Sequence, residues 1–309
     1  MKKIFLTTAA ALVASGGAFA MDGSAVSVGA DGNFGVKFNE ANDGHEAQFH
    51  HEFDVKFSAA LTSDDGFVFG GSIKIDQGNG AHDARTFMTI DNHTVTVGDG
   101  LDAGDNFGPL GLADLGFDGI GVDDVGEALR GKTDTDVTYD GDYGIVDVRM
   151  SVGDADDSGA ADEEFAFGLG IDLAPMTAGI GFDSRGVVSL GGTFTQGVVK
   201  AGFLFSTDDD WHDGDTRTPD GAMNYPGDQE ATAFGADATY SFSDTTKIIL
   251  SAAQSEMDGA PGTASTEKRA FGIGFEHNLG GGATLAGGVG SIDDGTDSAV
   301  GDLGISMKF

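Results

Sequence analysis

Between Asp99 and Glu127 the chain concentrates carboxylates: Asp99, Asp102, Asp105, Asp114, Asp118, Asp123, Asp124 and Glu127. Only Arg130 and Lys132 offset them near the end of the stretch. Crowded carboxylates attract cations, either as oxygen ligands of a bound ion or as the negative side of a field that sorts passing solutes. Asp99, Asp102 and Asp105 could bring hard oxygen ligands to a weakly held calcium ion, and solvated acids are an equally good reading. Asp154, Asp156, Ser158 and Gly159 open like an EF-hand loop, but the closing acid would have to fall on Phe165, so the match fails by one residue. Catalytic chemistry has no foothold: cysteine is absent and no Gly-x-Ser-x-Gly occurs. Of the histidines His45, His50, His51, His82, His93, His212 and His277, only His50 and His51 are adjacent. Neighbours on a strand point to opposite faces, so these two cannot form one site. The expectation is a protein that is not an enzyme.

The elements that must position these charges are strands. Phe49, His51, Phe53, Val55, Phe57, Ala59 and Leu61 take one face of an extended segment, and His50, Glu52, Asp54, Lys56 and Ser58 take the other. The same alternation runs through Phe67 to Ile75, Phe165 to Leu173, Phe271 to Phe275 and Leu303 to Phe309, and helical spacing fits none of these windows. Sixteen such segments begin near residues 23, 47, 66, 84, 93, 134, 143, 163, 177, 186, 197, 231, 245, 268, 282 and 298. Their connections alternate long and short, with Gly141-Asp142 among the expected tight turns and Asp183–Gly186 a short link where a long one is due. All five prolines fall in connections, where no ladder hydrogen bond is lost. The second face is rich in Gly, Ser, Thr, Asp and Lys, as when lipid lies outside a barrel and a wet lumen inside. A soluble barrel shows the same alternation with the faces reversed; even strand number and unequal loops favour the membrane form.

Met1-Lys2-Lys3, the apolar run Ile4 to Val13 and the small-x-small Ala18-Phe19-Ala20 read in order as a secretory leader. The expected organisation is a signal peptide over 1–20 and a single β-barrel over 21–309. Loss of Lys2 and Lys3 leaves 14 of the 16 basic residues against 51 acidic ones. That balance excludes nucleic acid as a partner and favours cations and water.

Thr94-Val95-Thr96-Val97-Gly98 runs into the acidic, glycine-rich Asp99 to Asp105, Asn106 to Leu112 and Gly116 to Gly121 follow, and the sequence closes on Lys308-Phe309. These stretches carry a resemblance of the mature chain to the general diffusion porins of alphaproteobacteria, the Rhodobacter type. It implies an all-β, sixteen-stranded antiparallel transmembrane barrel whose third loop folds inward, and a homotrimer in the bacterial outer membrane. It also implies that Phe309 is read by the barrel-assembly machinery, and it raises calcium as a ligand. The expected function is passive transport of small hydrophilic solutes and ions, with a preference for cations. A substrate-specific channel of the same shape and a secreted calcium-binding β-roll are the alternatives. The eyelet of such a pore sets acids of the long loop against bases on the wall. Alternation places Lys37, Lys56, Lys74 and Arg85 on the non-lipid face of the first four strands, and Arg149 and Lys200 on that face further on. A lumen whose scattered charges only keep the wall wet is the plainer alternative.

Overall fold

β-Branched and aromatic residues spaced by two, interrupted by Gly, Asn and Asp, leave the chain little choice but extended strands joined by turns. The structure, a computed structural model, describes residues 19–21, 24–42, 46–77, 82–98, 103, 110–130, 135–154, 163–208, 230–258 and 264–309. A three-residue strand β1 (Phe19–Met21) precedes β2 (Ser24–Asn39) and β3 (Ala47–Thr62). β4 (Val68–Ile75), β5 (His82–Ile90) and β6 (His93–Gly98) lead into the longest loop, which carries a single helical turn, α1 (Val122–Gly126). Then come β7 (Val137–Asp142), β8 (Val146–Asp154), β9 (Glu163–Leu173), β10 (Met176–Asp183), β11 (Val188–Gln196) and β12 (Val199–Asp208). The last five are β13 (Ala231–Ser241), β14 (Thr246–Met257), β15 (Thr266–Gly280), β16 (Ala283–Asp293) and β17 (Asp297–Lys308).

From β2 onward every strand pairs antiparallel with its neighbour in sequence. β17 returns to pair with β2, from Val300↔Asn39 to Lys308↔Asp31. The sheet therefore closes on itself with sixteen strands, β2 to β17, and no free edge is left. β1 pairs with β2 through Phe19↔Val26, Ala20↔Ala25 and Met21↔Ser24, beyond the reach of β17. It straddles the expected cleavage point after Ala20.

The closed barrel settles which face is which. Phe34, Val36, Phe38, Phe53 and Phe57 on β2 and β3 point outward, as do Leu190, Phe203, Phe234, Leu250, Phe271 and Leu303 on later strands. Phe49 is 93% exposed. Enclosed on the inside are Ser58, Thr138, Ser151, Ser189, Ser206, Ser251 and Ser255. An apolar skin around a polar interior suits a hydrocarbon surrounding. No helix among the described residues is long and apolar enough to cross a membrane.

One expected turn is displaced. Gly141 and Asp142 belong to β7, and the chain reverses at 143–145. There Gly144 takes φ 95° and donates its N–H to Asp142 Oδ1 at 2.6 Å. Gly141 is small for another reason: the Tyr139 and Tyr143 rings close over it, so that a methyl group there would lie 2.9 Å from Tyr143. The short link after β10 is real. Asp183 N–H donates to Val187 O at 3.1 Å across it, and Arg185 turns inward to donate to Leu129 O at 3.1 Å.

Candidate pore constriction

The long loop leaves the wall at Gly98, whose N–H donates to Asp136 O at 2.8 Å, so the loop's two ends start side by side. From Leu110 to Arg130 it lies inside the barrel. Its apolar side chains are what hold it there. Leu115, Val122 and Val125 pack with Ile249, Ala253, Ala270 and Val300 of the wall. Leu129 packs with Val187, Ala231 and Ala233, and Leu110 with Leu204. Glycine on the inner face makes this docking possible. Gly35 and Gly304 are register partners on β2 and β17, and the Phe117 ring lies over the pair. A Cβ at Gly304 would come within 2.7 Å of that ring and 2.6 Å of Phe34 O. Leu112 sits on Gly235 in the same manner, and the Leu115–Gly116 backbone sits on Gly288.

Polar contacts fix the register of the loop on the wall. Asp302, 8% exposed, accepts the Phe117 N–H at 2.9 Å and the Asp118 N–H at 3.2 Å through Oδ2, and the Gly288 N–H at 2.9 Å through Oδ1. Asp237 accepts the Ala113 N–H at 3.3 Å. On the other side of the tip, Lys37 Nζ donates to Asp118 Oδ2 at 2.8 Å and to Asp118 O at 3.1 Å. Asn33 donates to Asp118 Oδ1 at 3.3 Å, and His50 packs edge-on against Phe117.

The acids expected in the constriction thus divide into two kinds. Asp118 is tied to Lys37. Glu127 accepts the Leu112 N–H at 2.6 Å and pairs with the buried Arg130 at 3.3 Å, so it braces the loop. Asp114, Asp123 and Asp124 instead face a cavity of about 460 Å³, closed on its other sides by Lys37, Glu46 and Gln48 among others. These three have no ion pair among the described residues. Burial, reinforced by Asp124 and other nearby acids, pushes Asp114 up to about 6. Burial beside Asp114 and Asp124 pushes Asp123 up to about 7. Asp99, Asp102 and Asp105, the calcium candidates, lie outside the described residues.

The basic residues sit on the inner face, where alternation puts them. Lys56 and Lys74 are cross-strand partners on β3 and β4, and Arg85 stands opposite Ser72 on β5. Three of the six are matched by acids, of which Asp54 and Asp140 were not singled out by sequence reasoning. Lys74 pairs with Asp54 at 2.7 Å, Arg149 with Asp140, and Lys37 with Asp118. Lys200, exposed on β12, stands opposite Thr239 of β13. Lys56 has no ion pair among the described residues. Also missed were Asp302 and Asp237, the wall acids that grip the loop. Their signal was present: each is an acid in inward phase among Gly, Ala and Ser.

Comparisons with known proteins agree with this architecture. A porin of Rhodobacter capsulatus is 23% identical over 92% of this chain and all of its own length. A porin structure refined at 1.8 Å resolution superposes with a TM-score of 0.66 at 21% identity, covering 92% of this chain and all of that one. OmpT of Vibrio cholerae, an outer membrane protein, superposes with a TM-score of 0.74 at 13% identity, covering 95% of this chain and all of its own. The sequence model of the Gram-negative porins matches residues 7–297. With nearly the whole length so matched, the chain belongs to the Gram-negative porin family, the channel-forming barrels of the bacterial outer membrane.

Proposed function

We propose that the chain is a passive, cation-preferring diffusion pore for small hydrophilic solutes. One observation carries the preference: the wall bases Lys37, Lys74 and Arg149 are each matched by a carboxylate, whereas Asp114, Asp123 and Asp124 face the lumen without a matching base. A narrow water path edged by unmatched carboxylates concentrates cations, and low-dielectric walls focus that field. At physiological salt the screening length is about 8 Å, comparable to a narrow pore, so the field persists there. The net charge of −35 adds to it in the same direction. The pore works as a homotrimer, as the trimer form of OmpT from Vibrio cholerae suggests. Its leader is removed after Ala20, and Phe309 serves as the mark read during barrel assembly.

The test is the reversal potential across a planar bilayer under a potassium chloride gradient. The wild-type potential should have the sign of a cation-preferring pore and shrink as salt rises. Asp114→Asn with Asp123→Asn and Asp124→Asn should move it toward anions. A wild-type pore that prefers chloride at low salt overturns the proposal.

A further inference from the structure

The inner face of β2 and β3 sets Asn33 opposite Glu52, with His50 one inward position further toward the long-loop end. The inserted loop lowers Asp118 onto this patch. A ring nitrogen of His50, a Glu52 carboxylate oxygen and an Asp118 carboxylate oxygen all lie within 4.8 Å of one another. Donors that share one ion at about 2.0–2.2 Å must be roughly 3–4 Å apart, and His50 Nε2 stands 3.2 Å from Asp118 Oδ2. That close approach is not a hydrogen bond: His50 Nε2 is enclosed and has no hydrogen-bond partner. Asn33 donates its amide N–H groups to Glu52 Oε2 at 3.1 Å and Asp118 Oδ1 at 3.3 Å, which leaves its own oxygen enclosed and without a partner. Enclosed polar atoms without a hydrogen-bond partner are rare, and two residues of this one patch, His50 and Asn33, each carry one.

We propose that His50, Glu52 and Asp118 form a lumenal binding site for a divalent d-block cation of the zinc, nickel or copper class. A half-turn of the Asn33 amide exchanges its nitrogen and oxygen, which would bring the unpartnered oxygen to the ion as a fourth donor. The imidazole decides the class of ion. Calcium takes six to eight oxygen ligands, whereas imidazole nitrogen suits zinc, copper and nickel. Lys37 holds Asp118 Oδ2 at 2.8 Å, so the ion competes with an ammonium group for one of the two oxygens. Further along β3, Glu52, Asp54 and Asp76 gather a second group of acids. That group is all oxygen and already holds Lys74, so it carries no such assignment. Two ligands of the proposed site come from the wall and one from the loop. A bound ion would therefore fasten the loop tip to β3.

The proposal is independent of which ions the pore conducts, and binding can be read without any current. Folded full-length protein in detergent is titrated calorimetrically with zinc and with nickel, and calcium is added as a competitor. One ion per protomer is expected. His50→Ala and Glu52→Gln should each weaken binding by about tenfold or more, the scale on which even outer-shell changes act at metal sites. Equal calcium should not displace the ion. Electron paramagnetic resonance with copper on the unaltered protein needs no variant and should show nitrogen ligation that His50→Ala removes. Absence of binding, unchanged affinity in His50→Ala, displacement by equal calcium, or a copper spectrum without nitrogen would each overturn the assignment.

Discussion

Replacing Asp302 by alanine should loosen the loop tip and widen the pore without unfolding the barrel. Asp302 accepts two loop N–H groups, from Phe117 at 2.9 Å and Asp118 at 3.2 Å, and one wall N–H from Gly288. A hydrogen bond to a charged group contributes about 1.5–3 kcal/mol, so the two loop bonds together are worth about 3–6 kcal/mol. Water entering the space vacated by the carboxylate would hydrate the freed N–H groups and recover part of this. Some 3 kcal/mol of lost docking would remain, and at about 1.4 kcal/mol per tenfold the ratio of seated to unseated tip falls roughly a hundredfold. Leu115, Val122 and Val125 keep their apolar seat, so the tip frays while the loop body stays. Single-channel conductance should rise and become noisier, and vesicles carrying the variant should admit larger sugars. Asp302→Asn, which retains one acceptor oxygen, should fall between. Heat-modifiable migration on gels reports that the barrel is intact. An intact Asp302→Ala barrel with wild-type conductance and wild-type exclusion limit would refute the claim that this carboxylate sets the aperture.

Cation preference should depend on pH in a specific window. Asp114 and Asp123 are raised to about 6 and about 7, above their ordinary range, so their charge is present above that window and lost as pH falls through it. Reversal potentials taken from about pH 8 down to about pH 5 should shift toward anions for the wild type and change much less when both are asparagine. By linkage the folded loop binds protons more readily than the unfolded chain, so protection of loop amides from hydrogen exchange should be greater at the acid end, once intrinsic exchange rates are divided out. Gly304→Val should abolish efficient refolding in detergent, because its side chain would collide with Phe34 O and the Phe117 ring. Gly29→Ala, whose Cβ would meet nothing closer than 3.6 Å, should refold as the wild type does.

Strand positions were legible because each strand buries one face and wets the other, and that leaves a period of two in the residues. All sixteen barrel strands begin within about three residues of where alternation puts them. The turn after β7 is the exception: a glycine followed by an aspartate reads as a reversal, whereas the smallness of Gly141 serves the tyrosine rings above it. Which face looks outward was not decided by alternation alone, since a soluble barrel has the same period; closure of the sheet around the inserted loop decides it. For the site, phase put Lys37, Lys56, Lys74 and Arg85 on the inner face. The split of the loop acids into braces and free carboxylates was not legible. It depends on where the loop lands, and the wall acid that receives Phe117 lies 185 residues further along the chain. Local spacing holds no record of such a meeting.

The seats of the inserted loop have a consequence for the order of assembly. The loop emerges between β6 and β7, yet the surfaces that receive it belong mainly to β13 through β17 and to β2. None of those later surfaces exists until the second half of the chain has been threaded into the sheet. Phe117 rests on the seam itself, where Gly35 of the first barrel strand meets Gly304 of the last. The loop can settle there only when the circle is complete. Its apolar residues must wait uncovered while the strands accumulate, and their burial then rewards closure at the one joint that local hairpin formation cannot supply.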